Sequence, residues 1–256
     1  MTYGLWLSAA GMQANQYRQN TLANNLANVG TVGFKGDLTV LRERAVESLS
    51  GGADGLKFRN LLLDNLSGGT FVAPTYHDFT TGALTPTGNP LDVAVHGDGF
   101  LAVRDGDAVR YTRDGRFTTN SRNELVLVAG GGRARVLDQA GAPITLLPNG
   151  EPPRVAADGT VRQGDAVAGT IGLHEFSDRN TLRKVGANLF EATAGGAQPA
   201  RNSTLLAGTV ERSTVDPIAS LTGLIDASRA FQLNANMISM QDTTMGQAVS
   251  RVGRMG

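Results

Sequence analysis

The sequence predicts an α+β protein: a discontinuous N- plus C-terminal helical coiled-coil pair with a central antiparallel β-rich domain. Two observations predict this class. Each end of the chain carries a stretch with apolar residues at helical spacing, and the middle consists of short apolar runs separated by glycine. With 256 residues and 41% hydrophobic content, the chain is long enough to bury a sizeable core.

The first predicted element is a helix over residues 5–29, which contain no proline. Gly30 follows the last apolar residue, as a helix-ending glycine does. Five of the eight residues on its heptad seam are apolar, and the seam consists of Leu5, Ser8, Met12, Asn15, Gln19, Leu22, Leu26 and Val29.

A second seamed helix is predicted after Pro217. Eight of its ten seam positions are apolar, and they are Leu221, Leu224, Ser228, Phe231, Ala235, Ile238, Asp242, Met245, Val249 and Val252. Two helices at opposite ends of a chain can bury their apolar heptad seams against each other, so we expect these two helices to pair.

The middle of the chain shows strand and hairpin signals. The apolar runs LDVAV (91–95), FLAV (100–103), ELVLV (124–128) and TIGLHEF (170–176) predict strands. The sequences GDG (97–99), RDG (113–115) and ADG (157–159) predict turns whose residues accept positive φ.

These patterns predict three regions. Residues 1–35 and 210–256 form a terminal helical domain, residues 36–79 a connector or arm, and residues 80–209 the central β-rich domain. Within the connector, Ser/Gly clusters bracket residues 48–69, which predicts either a mobile segment or an ordered arm on a neighbour.

Composition and charge exclude several functions. Lysine plus arginine equals aspartate plus glutamate at 23 each, so no net field attracts a nucleic acid. Cysteine is absent, which excludes disulfides, zinc–thiolate sites and thiol chemistry. The first residues carry no lysine or arginine before Arg18 and no long apolar run, so they predict neither a secretory signal peptide nor a membrane span.

No motif predicts catalysis, a cofactor, a small-molecule substrate or a metal. The histidines His77, His96 and His174 lack metal-ligand spacing, and Asp105 with Asp107 lacks the later ligands of a calcium loop. The glycines of GTVGFKGD (30–37) follow a helix and lack the Gly-Lys-Ser/Thr of a phosphate loop.

Three asparagines near the end of the first helix need an explanation, because asparagine is a poor helix former. Asn24 and Asn28 lie opposite the apolar seam on a helical wheel, and Asn25 lies at its edge. A solvated face is one interpretation, but such a face usually carries lysine and glutamate, and no charged residue occurs between Arg18 and Lys35. We therefore predict that these amides contact other helices.

The same residues carry a family resemblance. The string ANNLANVGTVGFK (23–35) resembles the signature A-N-N-[LI]-A-N-x-x-T-x-G-[FY]-K of the bacterial flagellar axial proteins, which are the rod and hook subunits. The strings NPLDVAVHGDGFLAV (89–103) and YTRDGRF (111–117) resemble rod-protein patterns, and SRAFQLNANMI (228–238) resembles the closing helix of that family.

The resemblance implies a structural subunit of the flagellar basal-body rod, most similar to the proximal rod protein, with the distal one as the alternative. It implies an inner tube of terminal helices with the β domain outside. Its partners would be copies of itself, other axial proteins and the flagellar export apparatus, and export would need no cleaved signal peptide. The subunit-interface candidates are Asn24, Asn25, Asn28, Phe34, Leu224, Phe231, Ile238 and Met245.

Two other classes remain open. A secreted β-rich adhesin or binding module predicts a ligand groove in the β domain and no filamentous assembly. An enzyme predicts Asp, His and Ser side chains that converge in one pocket.

Overall fold

The computed structural model describes residues 2–43, 69–148, 150–193 and 196–253. It shows an α+β chain with a helix at each end and an antiparallel β-rich region between them. The chain divides into two compact units. The helical unit comprises Met1–Leu26, Asp37–Tyr76 and Asp216–Gly256, and the β unit comprises Ala27–Gly36 and His77–Val215.

Both predicted helices are present. Helix α1 spans Thr2–Ala27 and helix α2 spans Pro217–Val252. Asp216 caps α2, since its Oδ1 accepts hydrogen bonds from the backbone N–H groups of Ile218 (2.8 Å) and Ala219 (3.1 Å). Pro217 occupies the first turn, where a missing N–H costs nothing.

Helix α1 ends earlier than residue 29, the predicted end. The backbone N–H of Thr31 donates to the carbonyl of Asn28 at 3.1 Å, and that of Phe34 donates to Thr31 at 3.3 Å. These tight turns replace the last helical turn that the apolar spacing suggested.

The strands are short. In chain order, β1 to β10 are Asp37–Leu38, Leu41–Glu43, Thr70–Val72, Tyr76–His77, Leu84–Pro86, Val93–His96, Phe100–Asp105, Ala108–Thr112, Phe117–Thr119 and Leu125–Leu127. Strands β11 to β20 are Arg135–Val136, Arg154–Val155, Thr160–Gln163, Ala166–Thr170, Leu173–Glu175, Leu182–Gly186, Leu189–Ala192, Gln198–Pro199, Thr204–Ala207 and Thr209–Glu211. All four predicted apolar runs contribute to strands, namely β6, β7, β10 and β15.

The main sheet of the β unit has the order β16-β17-β8-β7-β11-β10-β9, with β15 pairing β7 and β18. Strands β12, β13 and β14 form a second sheet, and the ladders β19 with β6 and β20 with β5 join late strands to early ones. The paired registers are antiparallel. Strands after position 200 therefore pair with strands before position 100 inside the β unit.

The β unit has two apolar clusters. The larger one joins the inward faces of β6, β7, β10 and β11, with Val93, Leu101, Val103, Leu125 and Val136 fully buried. The smaller one is aromatic, with Phe79, Phe100, Phe176 and Phe190 packed around Leu182.

The three glycine turns differ from one another. Gly97 and Gly159 adopt positive φ, as predicted. The prediction for RDG is wrong, because none of its residues has positive φ. A Cβ on Gly115 would lie 1.8 Å from the carbonyl oxygen of Val93, so glycine is required there for close backbone approach.

The eight residues of the predicted α1 seam are all buried or half-buried, although Val29 lies beyond the end of the helix. The seam of α2 is partly wrong: Leu221, Asp242 and Val249 are exposed. The less exposed side of α2 instead runs through Ser220, Leu224, Ala227, Phe231, Asn234, Ile238, Gln241, Met245 and Ala248. Leu221 lies about 100° from this side because each helical residue turns the chain by that angle.

Glycines mark where α1 and α2 approach. A Cβ on Gly4 would lie 2.8 Å from Gln241 Nε2, one on Gly11 would lie 3.0 Å from Asn234 Oδ1, and one on Gly223 would lie 3.3 Å from Leu22 Cδ1. The helices are thus adjacent and antiparallel within the helical unit. The predicted connector falls largely on residues 44–68, which lie outside the described residues.

Candidate assembly surface

The side chain of Asn25 binds the backbone of the segment that follows α1. Its Nδ2 donates to the carbonyl of Asp37 and its Oδ1 accepts from the N–H of the same residue, both at 2.8 Å. The side chain is buried within the helical unit. Asparagine is suited to this position because one amide supplies both a donor and an acceptor.

Gly33 is the glycine of the motif, and its conformation has a steric cause. Its φ is +67°, and a Cβ there would lie 2.5 Å from the backbone of Arg113 and Asp114. Its N–H donates to the carbonyl of Glu211 at 2.8 Å. Any side chain at this position would push this turn away from the backbone of Arg113 and Asp114 within the β unit.

Lys35 forms a fully buried ion pair. Its Nζ donates to Glu211 Oε1 at 2.6 Å and to the carbonyl of Thr80 at 2.5 Å, and both charged side chains have no exposed surface. Arg113, also fully buried, lies 3.5 Å from Glu211 Oε2. Burial lowers the pKa of Lys35, and Glu211 opposes that effect by favouring the ammonium form.

This ionic cluster joins distant parts of the chain inside the β unit. Lys35 follows α1 and Glu211 precedes α2, and the two are 176 positions apart in the chain. Lys184 donates to the Lys35 carbonyl and lies 4.0 Å from the Phe34 ring centroid. The segments that lead to the two terminal helices are therefore fixed side by side.

Helix α2 carries a second apolar side that is exposed. Six large apolar residues lie there, with Ile218 77% and Leu233 66% exposed. They fall in an arc of about 160° that excludes the less exposed side. The six are Ile218, Leu221, Ile225, Leu233, Met237 and Met240. A helix with apolar residues on both sides is suited to burial on both sides.

Comparison with known proteins decides the family. Three family models match: flagella basal body rod protein (residues 7–35), flagellar hook protein FlgE/F/G D1 domain (94–163) and flagellar basal body rod FlgEFG protein C-terminal (206–251). The chain is 36% identical to flagellar basal-body rod protein FlgF of Caulobacter vibrioides, with 100% of each chain covered. The chain belongs to the flagellar basal-body rod protein family.

Two further relatives support this membership. The chain is 32% identical to the rod protein FlgF of Mesorhizobium japonicum, with 99% of each chain covered, and 32% identical to the rod protein FlgG of Bacillus subtilis, with 98% of this chain and 99% of the relative covered. The family resemblance predicted from residues 23–35 is confirmed, and the chain is a structural subunit of the flagellar basal-body rod.

The predicted interface residues of this rod subunit fall into three groups. Asn24 is exposed and Asn28 is half-buried, whereas Asn25 and Phe34 are buried within the chain. The remaining four are half-buried on the less exposed side of α2, and they are Leu224, Phe231, Ile238 and Met245.

The heptad pattern of α2 does not predict its exposed apolar side. A single seam per helix assigns every other apolar residue to no face. A count of apolar residues around the whole wheel would have revealed the second side.

The β unit has a pocket that bears on the enzyme alternative. It has a volume of about 450 Å³ and is lined in part by Asp158, His174 and Ser203. Ser203 Oγ donates to Glu175 Oε1 at 2.6 Å, and Asp158 Oδ1 accepts from the Thr160 N–H at 2.9 Å.

A serine triad needs its histidine held by a carboxylate and bonded to the serine. Over the described residues, His174 Nδ1 is buried and has no hydrogen-bond partner. Burial also lowers the pKa of this histidine. The three side chains therefore share a pocket without forming a triad.

Among the residues that the structure describes, no group of three or more His, Asp or Glu side chains could hold a metal ion. Neither of the two described helices is long and apolar enough to cross a membrane.

Proposed function

We propose that this rod subunit assembles through its terminal helices, which pair as a coiled coil and form the wall of the axial tube. The exposed apolar side of α2 carries the proposal, because six large apolar residues lie there in contact with solvent in the described part of the chain, and burial against another chain would cover them. Full burial of each would contribute roughly 1.5 to 3 kcal/mol. Asn24 and Asn28 are proposed to contact neighbouring helices as well.

The role we propose is a scaffold without catalysis. The partners are copies of the chain and other axial rod and hook proteins, and the chain reaches the basal body through the flagellar export apparatus without a cleaved signal peptide. Within the family we propose the proximal rod position, on the N-P-L-D-V-A phrase (89–94) and the DTTMGQAV ending (242–249).

The test places a charge on the exposed side of α2. Leu221→Asp and Ile225→Asp, made singly, should abolish motility and rod assembly, because a carboxylate buried at a subunit contact without a partner costs several kcal/mol. Motility and electron microscopy of basal bodies are the measurements, and circular dichroism checks the fold.

The matched control is Val167→Asp, which changes an exposed apolar residue of the β unit. It should leave assembly intact. Normal rods in both α2 variants would overturn the proposal.

A further inference from the structure

The β unit contains Asp–Gly pairs that differ in their surroundings. An Asp–Gly pair can rearrange to isoaspartate, because glycine has no Cβ to keep its backbone nitrogen away from the preceding carboxyl group. The rearrangement requires that the carboxyl group and the nitrogen be able to meet. The pairs among the described residues are Asp98–Gly99, Asp105–Gly106, Asp114–Gly115 and Asp158–Gly159.

Hydrogen bonds occupy both reacting groups of the pair Asp98–Gly99. The N–H of Gly99 donates to Ser203 Oγ at 2.8 Å, and Gly99 is buried. Asp98 Oδ1 accepts from Arg179 Nη1 at 2.8 Å. Each of these bonds has to open before the two groups can react.

The pair Asp158–Gly159 is held in the same way. The N–H of Gly159 donates to the carbonyl of Ala156 at 2.9 Å, and Asp158 Oδ1 accepts from the N–H of Thr160, also at 2.9 Å. The turn that places this glycine therefore also keeps its nitrogen from reacting.

Burial protects the pair Asp114–Gly115. Asp114 has no exposed surface, and its carboxylate accepts from the backbone N–H of Arg116 at 3.1 Å and from its guanidinium at 3.0 Å and 2.7 Å. Gly115 is packed against the backbone of Val93. Neither residue can rearrange without disturbing the core of the β unit.

The pair Asp105–Gly106 has none of these restraints. Asp105 pairs with Ala108, and Gly106 and Asp107 form the exposed two-residue turn between β7 and β8. Over the described residues, neither the Asp105 carboxylate nor the Gly106 N–H has a hydrogen-bond partner. A Cβ on Gly106 would meet nothing within 4 Å, so no packed neighbour resists a change in this turn.

We propose that Asp105 is a site of spontaneous conversion to isoaspartate in the folded chain. The nitrogen of Gly106 attacks the side-chain carboxyl carbon of Asp105, and a succinimide ring closes. The carboxyl hydroxyl and the proton from the nitrogen leave together as water. A second water then adds to the main-chain carbonyl carbon of Asp105, and the bond from that carbon to the nitrogen breaks.

The product has the same mass as the original chain, because one water is lost and one is gained. The main chain now passes through Cβ of Asp105, and the carboxylate is attached to Cα. A two-residue turn fixes the register of its hairpin. The change therefore falls beside Asp105–Ala108, the pair that closes the turn.

The test uses water labelled with oxygen-18, since hydrolysis of the ring transfers one oxygen atom from the solvent. The purified, folded chain is incubated in labelled neutral buffer and then digested with trypsin in ordinary water. Trypsin cleaves after lysine and arginine, which places each Asp–Gly pair in a different peptide, including Asp54–Gly55 outside the described residues.

We expect the label in peptide 105–110, in excess over the peptides of the other three described pairs by about tenfold, which corresponds to about 1.4 kcal/mol of local opening free energy. Isoaspartyl methyltransferase should methylate the same peptide. Asp105→Glu should remove the label from this peptide while keeping the charge, because glutamate has to close a larger ring that forms more slowly.

The matched control is the same incubation in concentrated urea. All the Asp–Gly pairs should then acquire label at similar rates, because the hydrogen bonds and the burial that distinguish them are lost. Equal labelling of the four described pairs in the folded chain would overturn the proposal. Labelling of peptide 105–110 in urea but not in the folded chain would overturn it as well.

Discussion

The two units bury different kinds of residue. In the β unit, large apolar side chains such as Leu101, Leu125 and Phe190 are at most 1% exposed. In the helical unit, the buried residues among those described are small or polar, and they are Ser8, Ala14, Asn25, Gly69, Ala73, Ser220 and Ala227. None of its described large apolar residues is fully buried, and several, such as Trp6, Leu233 and Met240, are exposed.

This contrast separates two ways of burying apolar surface. Over the described residues, the β unit encloses its own core, whereas the helical unit leaves several of the side chains that would contribute most to burial in contact with water. Helices that bury little apolar surface are marginally stable because helix nucleation is costly. We therefore expect the helical unit to gain, from the proposed assembly, contacts that the β unit makes internally.

The largest expected effect comes from the aromatic cluster. Phe100→Ala should destabilise the β unit by roughly 3 to 5 kcal/mol, because it removes a fully buried ring and leaves a cavity among Phe79, Phe176 and Phe190. Urea unfolding of the purified chain, followed by the strand signal in circular dichroism, measures it.

Phe231→Ala is the matched substitution in the helical unit. Phe231 is only half-buried, so the urea midpoint of the strand signal should stay close to that of the natural chain. Equal losses from the two substitutions would contradict the contrast between the units.

The buried ionic cluster gives the next effect. Glu211→Gln leaves Lys35 and Arg113 buried without the carboxylate that faces both, and removing one partner of a buried pair costs about 3 kcal/mol or more. Urea unfolding measures this loss as well.

Glu191→Gln is the control, because Glu191 pairs with Arg110 and Arg183 in contact with solvent. It should change stability little, since exposed ion pairs contribute little. A Glu211 variant as stable as the Glu191 variant would show that the cluster does not hold residues 35 and 211 together.

The sequence predicted the helices and strands better than it predicted which of them pair with one another. The helices and four strands were found because apolar spacing is a local signal, and the residues that produce it are adjacent in the chain. The ladder of β19 with β6 and the pairing of Lys35 with Glu211 join residues more than 100 positions apart. No local pattern specifies such a pairing.

The asparagines show the same limit at one site. The helical wheel placed Asn25 at the edge of the seam. Its amide is instead satisfied by the backbone of Asp37, which lies beside it in the folded chain. The motif predicted the family, but the amide's partner is set by the turns at Thr31 and Phe34, which the spacing did not reveal.

Hydrogen exchange compares the units within one sample. The amides of Ala102 and Leu127 donate to Gly172 and Ala134 within the β unit. They should exchange roughly a hundredfold more slowly than the amides of Leu22 and Phe231 in dilute protein, a difference of about 3 kcal/mol in opening free energy. Equal protection of helices and strands would show that the helical unit is stable without neighbours.

The smallest effect is a pH dependence at the edge of the β unit. The hydrogen bond from Ser203, at 2.6 Å, lowers the pKa of Glu175 below its ordinary value of 4.5. A carboxyl group whose pKa is lower in the folded chain stabilises the fold above pH 4.5, and that contribution is lost as the pH falls through the folded pKa. Glu175→Gln should therefore reduce the loss of stability as the pH falls below 4.5, by a small amount because the side chain is partly exposed to solvent. Urea midpoints at neutral pH and below pH 4.5 measure this, with Asp107→Asn, an exposed turn residue between β7 and β8, as the control. If both variants respond to acid as the natural chain does, the bond between Ser203 and Glu175 contributes nothing measurable to the stability of the β unit.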